Sequence, residues 1–370
     1  MKYPLPTELR IGPHQLDFPA VQAALSGYSD TAMRLVARRL GAPYTLCEVM
    51  LDKLVLQVRQ RRKNHHIMHV ADEEHPVGGQ LMGADPEQFG PAAQKLVARG
   101  FDVIDINFGC PVKKVLGRCR GGFHLSQPPV ALEIVGRVRA AVPSHIPVTV
   151  KMRRGVDDTL QSRENFFEIF DGAFALGAAA ITVHGRTVQQ RYDGPSKWDF
   201  LRELKRHAGE RVVLGSGDLF DAQACIDMLG YTGVDGITIA RGAISNPWIF
   251  QQVRALAAGL PLPDPPTLFE QREVIAAHYS LAEELYGAER CVPTMRKFGI
   301  KYSRLHSEHE QVREDFCQVK KAGAWREVLT KWYHTDAPGV HPAVEQSNPL
   351  SAAGSSISPS VSDPAAAQLG

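Results

Sequence analysis

Between residues 15 and 239 the chain repeats one alternation. A short run of apolar and β-branched residues gives way to a longer stretch with apolar residues at three- and four-residue spacing, usually closed by glycine. Candidate strands lie near 15–22, 44–50, 77–82, 102–107, 147–152, 179–184, 211–216 and 235–239. Between them, "DTAMRLVARRL", "DPEQFGPAAQKLVARG", "PPVALEIVGRVRAAV", "RENFFEIFDGAFALG" and "DAQACIDMLGYTG" read as helices. Eight strands alternating with helices fit an α/β fold of the (β/α)8 TIM-barrel type, with a doubly wound sheet as the structural alternative.

The alternation stops at "PLPDPPT" (261–267), a proline-rich linker. Four helical patterns follow without a strand, so a small all-α domain is expected after the barrel. The resulting division is 1–260 for the barrel domain, 261–334 for the helical domain and 335–370 for a Pro-, Ser-, Ala- and Gly-rich tail expected to be disordered. The net charge of +2 becomes +5 for residues 1–334, because the tail holds three acids (Asp336, Glu345, Asp363) and no Lys or Arg. Basic runs stand at 59–63 ("RQRRK"), at 151–154 ("KMRR") and from Arg290 to Arg304, where five basic residues occur with no acid. The six cysteines (47, 110, 119, 225, 291, 317) are scattered, without the spacing of a zinc site or a disulfide framework. No long apolar run and no signal-peptide core are present, so a cytoplasmic protein without metal or membrane association is expected.

In a barrel, chemistry sits on the loops after the C-terminal ends of the strands. Polar residues fall there repeatedly: Gln80 after the third strand, Asn107 and Cys110 after the fourth, Lys151 and Arg153 after the fifth, His184 and Arg186 after the sixth. Any one of them is explained by a satisfied hydrogen bond, but packing alone asks for apolar residues at these places. The loops after strands seven and eight, "GSGDLF" (215–220) and "IARGAISNPWIF" (239–250), are rich in small residues and include Arg241. Small residues let backbone N–H groups approach a phosphate. A thiol, a lysine and a histidine around a barrel mouth with a terminal phosphate site suit flavin mononucleotide (FMN), with Lys151 offsetting negative charge near N1 of the reduced ring.

The runs "SGYSD" (26–30), "DINFGCPVKKV", "VTVKMRRG", "ITVHGRTVQQRYDGPSKWD", "GSGD" and "GVDGITIARGAISNPWIF" together resemble the tRNA-dihydrouridine synthases, over about residues 15–333. The stretch "MRKFGIKYSRLH" resembles that family's tRNA-binding domain. The resemblance implies that Cys110 is the catalytic cysteine and Asn107 the active-site asparagine. It implies flavin-ring contacts for Gln80, Lys151 and His184, and FMN ribityl and phosphate contacts for Gly215, Ser216, Gly217, Asp218, Ala240, Arg241 and Gly242. Two departures stand out: "AALSG" (23–27) replaces the family's Ala-Pro-Met-Ala-Gly, and "GGFHLS" (121–126) brings in His124.

The implied reaction is reduction of the C5–C6 bond of a tRNA uridine, with NADPH or NADH as electron source. Hydride comes from reduced FMN, and a proton from Cys110 on a mobile loop, with the uridine flipped out of its stack. An ordinary thiol, with a pKa of about 8.5, holds that proton at neutral pH. Lys113 and Lys114 are expected to point away from it. Arg153, Arg186, Arg296, Lys297, Lys301 and Arg304 are the residues expected to face tRNA, and a monomer is expected. Two other readings are an FMN barrel acting on a small molecule, like the dihydroorotate dehydrogenases, and a tRNA-binding protein without catalysis. The basic helical domain argues against the first, and the joint presence of Cys110, Lys151 and His184 against the second.

Overall fold

The computed structural model describes residues 2–58 and 66–343. The basic run at 59–63 lies outside the described residues. Among those described, eight parallel strands close into a barrel: β1 (Ala20–Gln22), β2 (Thr45–Leu46), β3 (Val77–Met82), β4 (Val103–Phe108), β5 (Val148–Arg153), β6 (Ala180–His184), β7 (Val213–Ser216) and β8 (Gly236–Ile239). β8 pairs with β1 and β2 with β3, which completes the ring.

The period-two alternation of the strands decides what faces where. Along β4, Ile104, Ile106 and Phe108 point out into the core under the helices, while Asp105 and Asn107 point into the barrel. Along β5, Val148, Val150 and Met152 point out, and Thr149, Lys151 and Arg153 point in. Helices cover the outside, several with side-chain caps that fix where the chain turns back. Asp30 accepts the Met33 N–H at 2.9 Å, and Asp221 accepts the Ala224 N–H at 2.8 Å.

The two earliest strand expectations need correction. Residues 15–22 are not one strand: His14–Leu16 pairs antiparallel with Leu9–Ile11 in a hairpin, and the barrel strand begins only at Ala20. Pro19, which has no N–H for a ladder, stands at the break. The hairpin places Leu9, Ile11 and Leu16 against Val21, Val103, Ala180 and Leu214, plugging the end of the barrel opposite the strand C-termini. The expected strand 44–50 likewise shrinks to Thr45–Leu46, followed by a short piece at Met50–Leu51 paired with the end of β3.

Beyond the linker run four helices, Leu268–Tyr286, Ala288–Tyr302, His309–Gln318 and Ala322–Trp332. Thr267 and Glu270 form a reciprocal capping box at the start of the first, which packs along the barrel helix Thr31–Arg39. The tail does not come free at residue 335 as expected. Leu268 N–H donates to Ala337 O at 2.9 Å, Phe269 N–H to Asp336 Oδ1 at 3.1 Å, and Val340 N–H to Leu305 O at 2.9 Å, so residues 336–340 lie on the helices. Residues 344–370 lie outside the described residues.

Candidate active site

Register brings Gln80, Asp105 and Thr149 to one level inside the barrel, and Asn107, Lys151 and Thr182 to the next level toward the mouth. A chain of hydrogen bonds climbs through them. Thr149 Oγ1 donates to Asp105 Oδ1 at 2.5 Å, Gln80 Nε2 to Asp105 Oδ2 at 2.7 Å, and Asn107 Nδ2 to Gln80 Oε1 at 2.7 Å. Burial pushes the Asp105 carboxyl up, and its two donors oppose that shift. At the top, Asn107 Oδ1 accepts the N–H groups of Gly109 (2.9 Å) and Cys110 (3.1 Å).

The turn that carries the thiol is therefore pinned. Two further bonds hold it from above: Arg153 Nε donates to Gly109 O at 2.9 Å and Gly122 N–H to Cys110 O at 3.1 Å. Both carbonyls and both N–H groups of Gly109–Cys110 thus have a hydrogen-bond partner in this structure. The half-buried Cys110 thiol is pushed up by burial, against the opposing effects of the Val112 N–H and the Arg153 and Lys151 charges. It holds its proton at neutral pH. Lys113 and Lys114 are exposed and are not among the charges acting on it.

Lys151 and His184 stand beside this turn. Burial, then repulsion from Arg153, brings the Lys151 ammonium down to about 8. His184 is held well below its ordinary value, first by burial and then by the charges of Arg153, Lys151, Arg186 and Arg241. It is a neutral imidazole, and its Nδ1 accepts the Arg186 N–H at 3.1 Å, so the ring proton is on Nε2. The mouth thus offers an ammonium and an imidazole N–H, both hydrogen-bond donors. This chemistry fits the electron-rich edge of a flavin ring.

The glycine-rich loops are more mixed than their sequence suggests. A Cβ at Gly215 would come within 2.7 Å of Met228 Sδ, and one at Gly242 within 2.5 Å of Leu219 O, so these two glycines answer to packing. Gly217 (φ +115°) and Asp218 (φ +61°) do bend the backbone through the left-handed region. The Asp218 carboxylate is buried; it pairs with Arg186 Nη1 at 2.7 Å and accepts the Ser196 N–H at 2.7 Å. Only backbone at Asp218 is left to face a ligand. Arg241, 41% exposed, lies over the rings of Phe220 (4.6 Å) and Tyr192 (5.2 Å) and keeps a guanidinium near this loop, which fits a phosphate.

Two of the arginines expected to face RNA do not. Arg153 is 3% exposed, with Nη1 donating to Thr187 O (2.8 Å) and Arg191 O (2.7 Å) besides its bond to Gly109 O. Arg186 is 1% exposed and donates to Gly194 O and to Asp218. Both guanidinia tie loops together. Lys297 is exposed; its ammonium also donates to Gly27 O at 2.8 Å and lies 5.4 Å from the Tyr28 ring. Arg296, Lys301 and Arg304 are half-buried on the same helical stretch.

Sequence reading missed Asp105, which reads as one polar residue in an apolar strand and whose inward direction the period-two pattern signals. It also missed Glu48 after β2, Tyr192, 52% exposed between two guanidinia, and Tyr286, which donates to Asp30 Oδ2 at 2.8 Å. His124 is buried and joins the cysteine segment to the loop after β3, with Nε2 at 3.0 Å from Gly83 O. Among the described residues, no group of three or more His, Cys, Asp or Glu could hold a metal ion, and no helix is long and apolar enough to cross a membrane.

Comparison with known proteins bears on this geometry. The family model described as dihydrouridine synthase matches residues 21–335. A probable tRNA-dihydrouridine synthase of Mycobacterium tuberculosis is 35% identical over 321 residues, covering 84% of this chain and 81% of the relative. The tRNA-dihydrouridine synthase B of Shewanella oneidensis is 34% identical over 322 residues (85% and 95%), and that of Escherichia coli K12 is 32% identical over 330 (89% and 100%). Among solved structures, a histamine dehydrogenase from Rhizobium sp. 4-9 superposes with a TM-score of 0.54 at 14% identity, over 75% of this chain and 51% of that one. That likeness concerns the barrel fold, and this chain spans about half of that structure's length.

Proposed function

Because this chain belongs to the tRNA-dihydrouridine synthase family, we propose that it reduces uridine in tRNA to 5,6-dihydrouridine, using FMN and NADPH. When bound and reduced by NADPH, FMN would supply the hydride for C6 of the uracil ring. The chain's own residues do the rest. Cys110 holds a proton and delivers it to C5, and the pinned turn fixes the direction from which it comes. Lys151 and His184 donate toward the ring edge of the cofactor, and Arg241 with the backbone at Gly217–Asp218 takes its phosphate. Asn107 positions the turn rather than the cofactor. Arg296, Lys301 and Arg304, on the helix Ala288–Tyr302 and the turn after it, take RNA phosphates, a contact that supplies affinity rather than base specificity. The uridine must leave its stack to reach a thiol set inside a barrel mouth.

The observation that carries this reading is the Cys110 thiol, kept protonated by burial in a turn held by Asn107, Arg153 and Gly122 beside two donor groups. A direct test supplies purified protein with FMN, NADPH and tRNA lacking dihydrouridine, and scores nucleosides by mass spectrometry. Formation of dihydrouridine that requires all three components is expected. Flavin reduction without any change in the tRNA would favour a small-molecule substrate instead. NADH in place of NADPH, at matched concentration, decides the electron source.

A further inference from the structure

The loop after β1, residues 23–30, rims the barrel mouth and is held from three sides. From within, Ser29 Oγ accepts the Leu25 N–H at 2.8 Å and donates to Leu25 O at 3.3 Å. From the end of β2, Glu48 N–H donates to Ser29 O at 3.2 Å, and the Glu48 carboxyl faces the Gly27 amide. From the C-terminal helices, Tyr286 Oη donates to Asp30 Oδ2 at 2.8 Å, Lys297 Nζ donates to Gly27 O at 2.8 Å, and Phe298 meets Tyr28 edge to face at 5.5 Å. Gly27 is at φ +77°, which glycine adopts without steric cost, so the loop can turn there. Barrel closure needs none of these contacts, since β1 pairs with its neighbours through Ala20–Gln22 and the Ala23 N–H that donates to Ile239 O at 2.8 Å.

We propose that Tyr286 and Glu48 are positioning residues that set this rim of the active site, so that seating the C-terminal helices on the barrel and shaping the mouth are one event. Its catalytic consequence rests on the proposed function, whereas the structural claim does not. The groups facing Glu48 are Asp30 of the rim, Arg34 of the helix behind it with its buried partner Glu74, Tyr286 and Lys297 of the helical region and the neighbouring Cys47. Burial, then the nearby Asp30, pushes the Glu48 carboxyl up to about 7, while Lys297, the Gly27 amide and Arg34 oppose this. The closed rim thus binds a proton that an opened, solvated Glu48 releases, and protonation relieves its desolvation and its repulsion by Asp30, so the rim tightens as pH falls through that value.

Hydrogen exchange of the backbone amides of residues 24–30, in the full-length protein without RNA and corrected for intrinsic rates, tests this. Tyr286→Phe deletes one hydroxyl and should raise exchange in the rim about tenfold, the scale of one buried hydrogen bond to a carboxylate, with strands β3 to β6 unchanged. Wild type should exchange faster at roughly pH 8 than at roughly pH 6, whereas the neutral Glu48→Gln should be slow at both. Wild-type exchange in Tyr286→Phe, or a pH step that survives in Glu48→Gln, overturns the positioning claim. In the flavin-loaded enzyme, single-turnover reoxidation by tRNA should slow by about tenfold in Tyr286→Phe at unchanged flavin content, and a full rate with a loosened rim overturns the catalytic half. Wild-type protein that leaves tRNA unreduced would instead end the proposed function while the exchange result stands.

Discussion

Asn107 carries the Cys110 turn: one side-chain oxygen accepts the N–H of Gly109 at 2.9 Å and of Cys110 at 3.1 Å, while the amide nitrogen of the same side chain donates to Gln80 Oε1 at 2.7 Å. The turn that bears the thiol is thereby tied to the barrel interior through Gln80 and Asp105, in addition to its bonds with Arg153 and Gly122.

Asn107→Ala removes three hydrogen bonds and leaves two backbone donors without their acceptor. A loss of about 2–4 kcal/mol in unfolding free energy is expected, read from urea denaturation. Asn107→Asp keeps the acceptor but sets a carboxylate against Gln80 Oε1, and it should slow flavin reoxidation by tRNA more than it destabilises the protein.

Cys110→Ala should fold, bind FMN and be reduced by NADPH at close to the wild-type rate. Reoxidation by tRNA should then slow by a factor on the order of 10², the usual scale for losing a general acid. Cys119 is exposed, sits at φ +54° and lies between Arg118 and Arg120, so Cys119→Ala should cost little. Stopped-flow traces of both variants decide; a stall at 119 and none at 110 would sink the assignment.

Arg153→Lys replaces the planar fork that spans three carbonyls, at Gly109, Thr187 and Arg191, by a single ammonium that cannot span all of them. Slower proton delivery with unchanged tRNA affinity and an unchanged salt slope of binding is expected. A shallower salt slope in this variant would return Arg153 to the RNA surface.

Lys151 titrates at about 8 in the folded protein, below its ordinary value. Two consequences have opposite signs. Its charge is lost as pH rises through about 8, so retention of reduced flavin should weaken there. Between about 8 and the ordinary lysine value of about 10.4 the unfolded chain binds the extra proton, so this lysine makes unfolding harder as pH rises across that window. Lys151→Met should remove both effects, seen in thermal unfolding and in flavin release followed from about pH 7 to about pH 10.

Much of the molecule was legible in the chain because its signals are local. Period-two runs such as "VIDINF" and "VTVKMR" determine both a strand and which residues face its two sides, so the barrel and the inward direction of Asn107, Lys151 and His184 follow from sequence. Weak runs misled where a proline or a short strand interrupts them, as at Pro19 and at Thr45–Leu46. What sequence could not decide is the partner of each polar group. An arginine presents the same donors to a phosphate, a carboxylate or a backbone carbonyl, and only the folded distances assigned Arg153 to three carbonyls, Arg186 to Asp218 and Lys297 to Gly27. Those partners lie 32 to 270 residues away along the chain. Strand register and the docking of the C-terminal helices bring them together, and neither is written in the residues that meet.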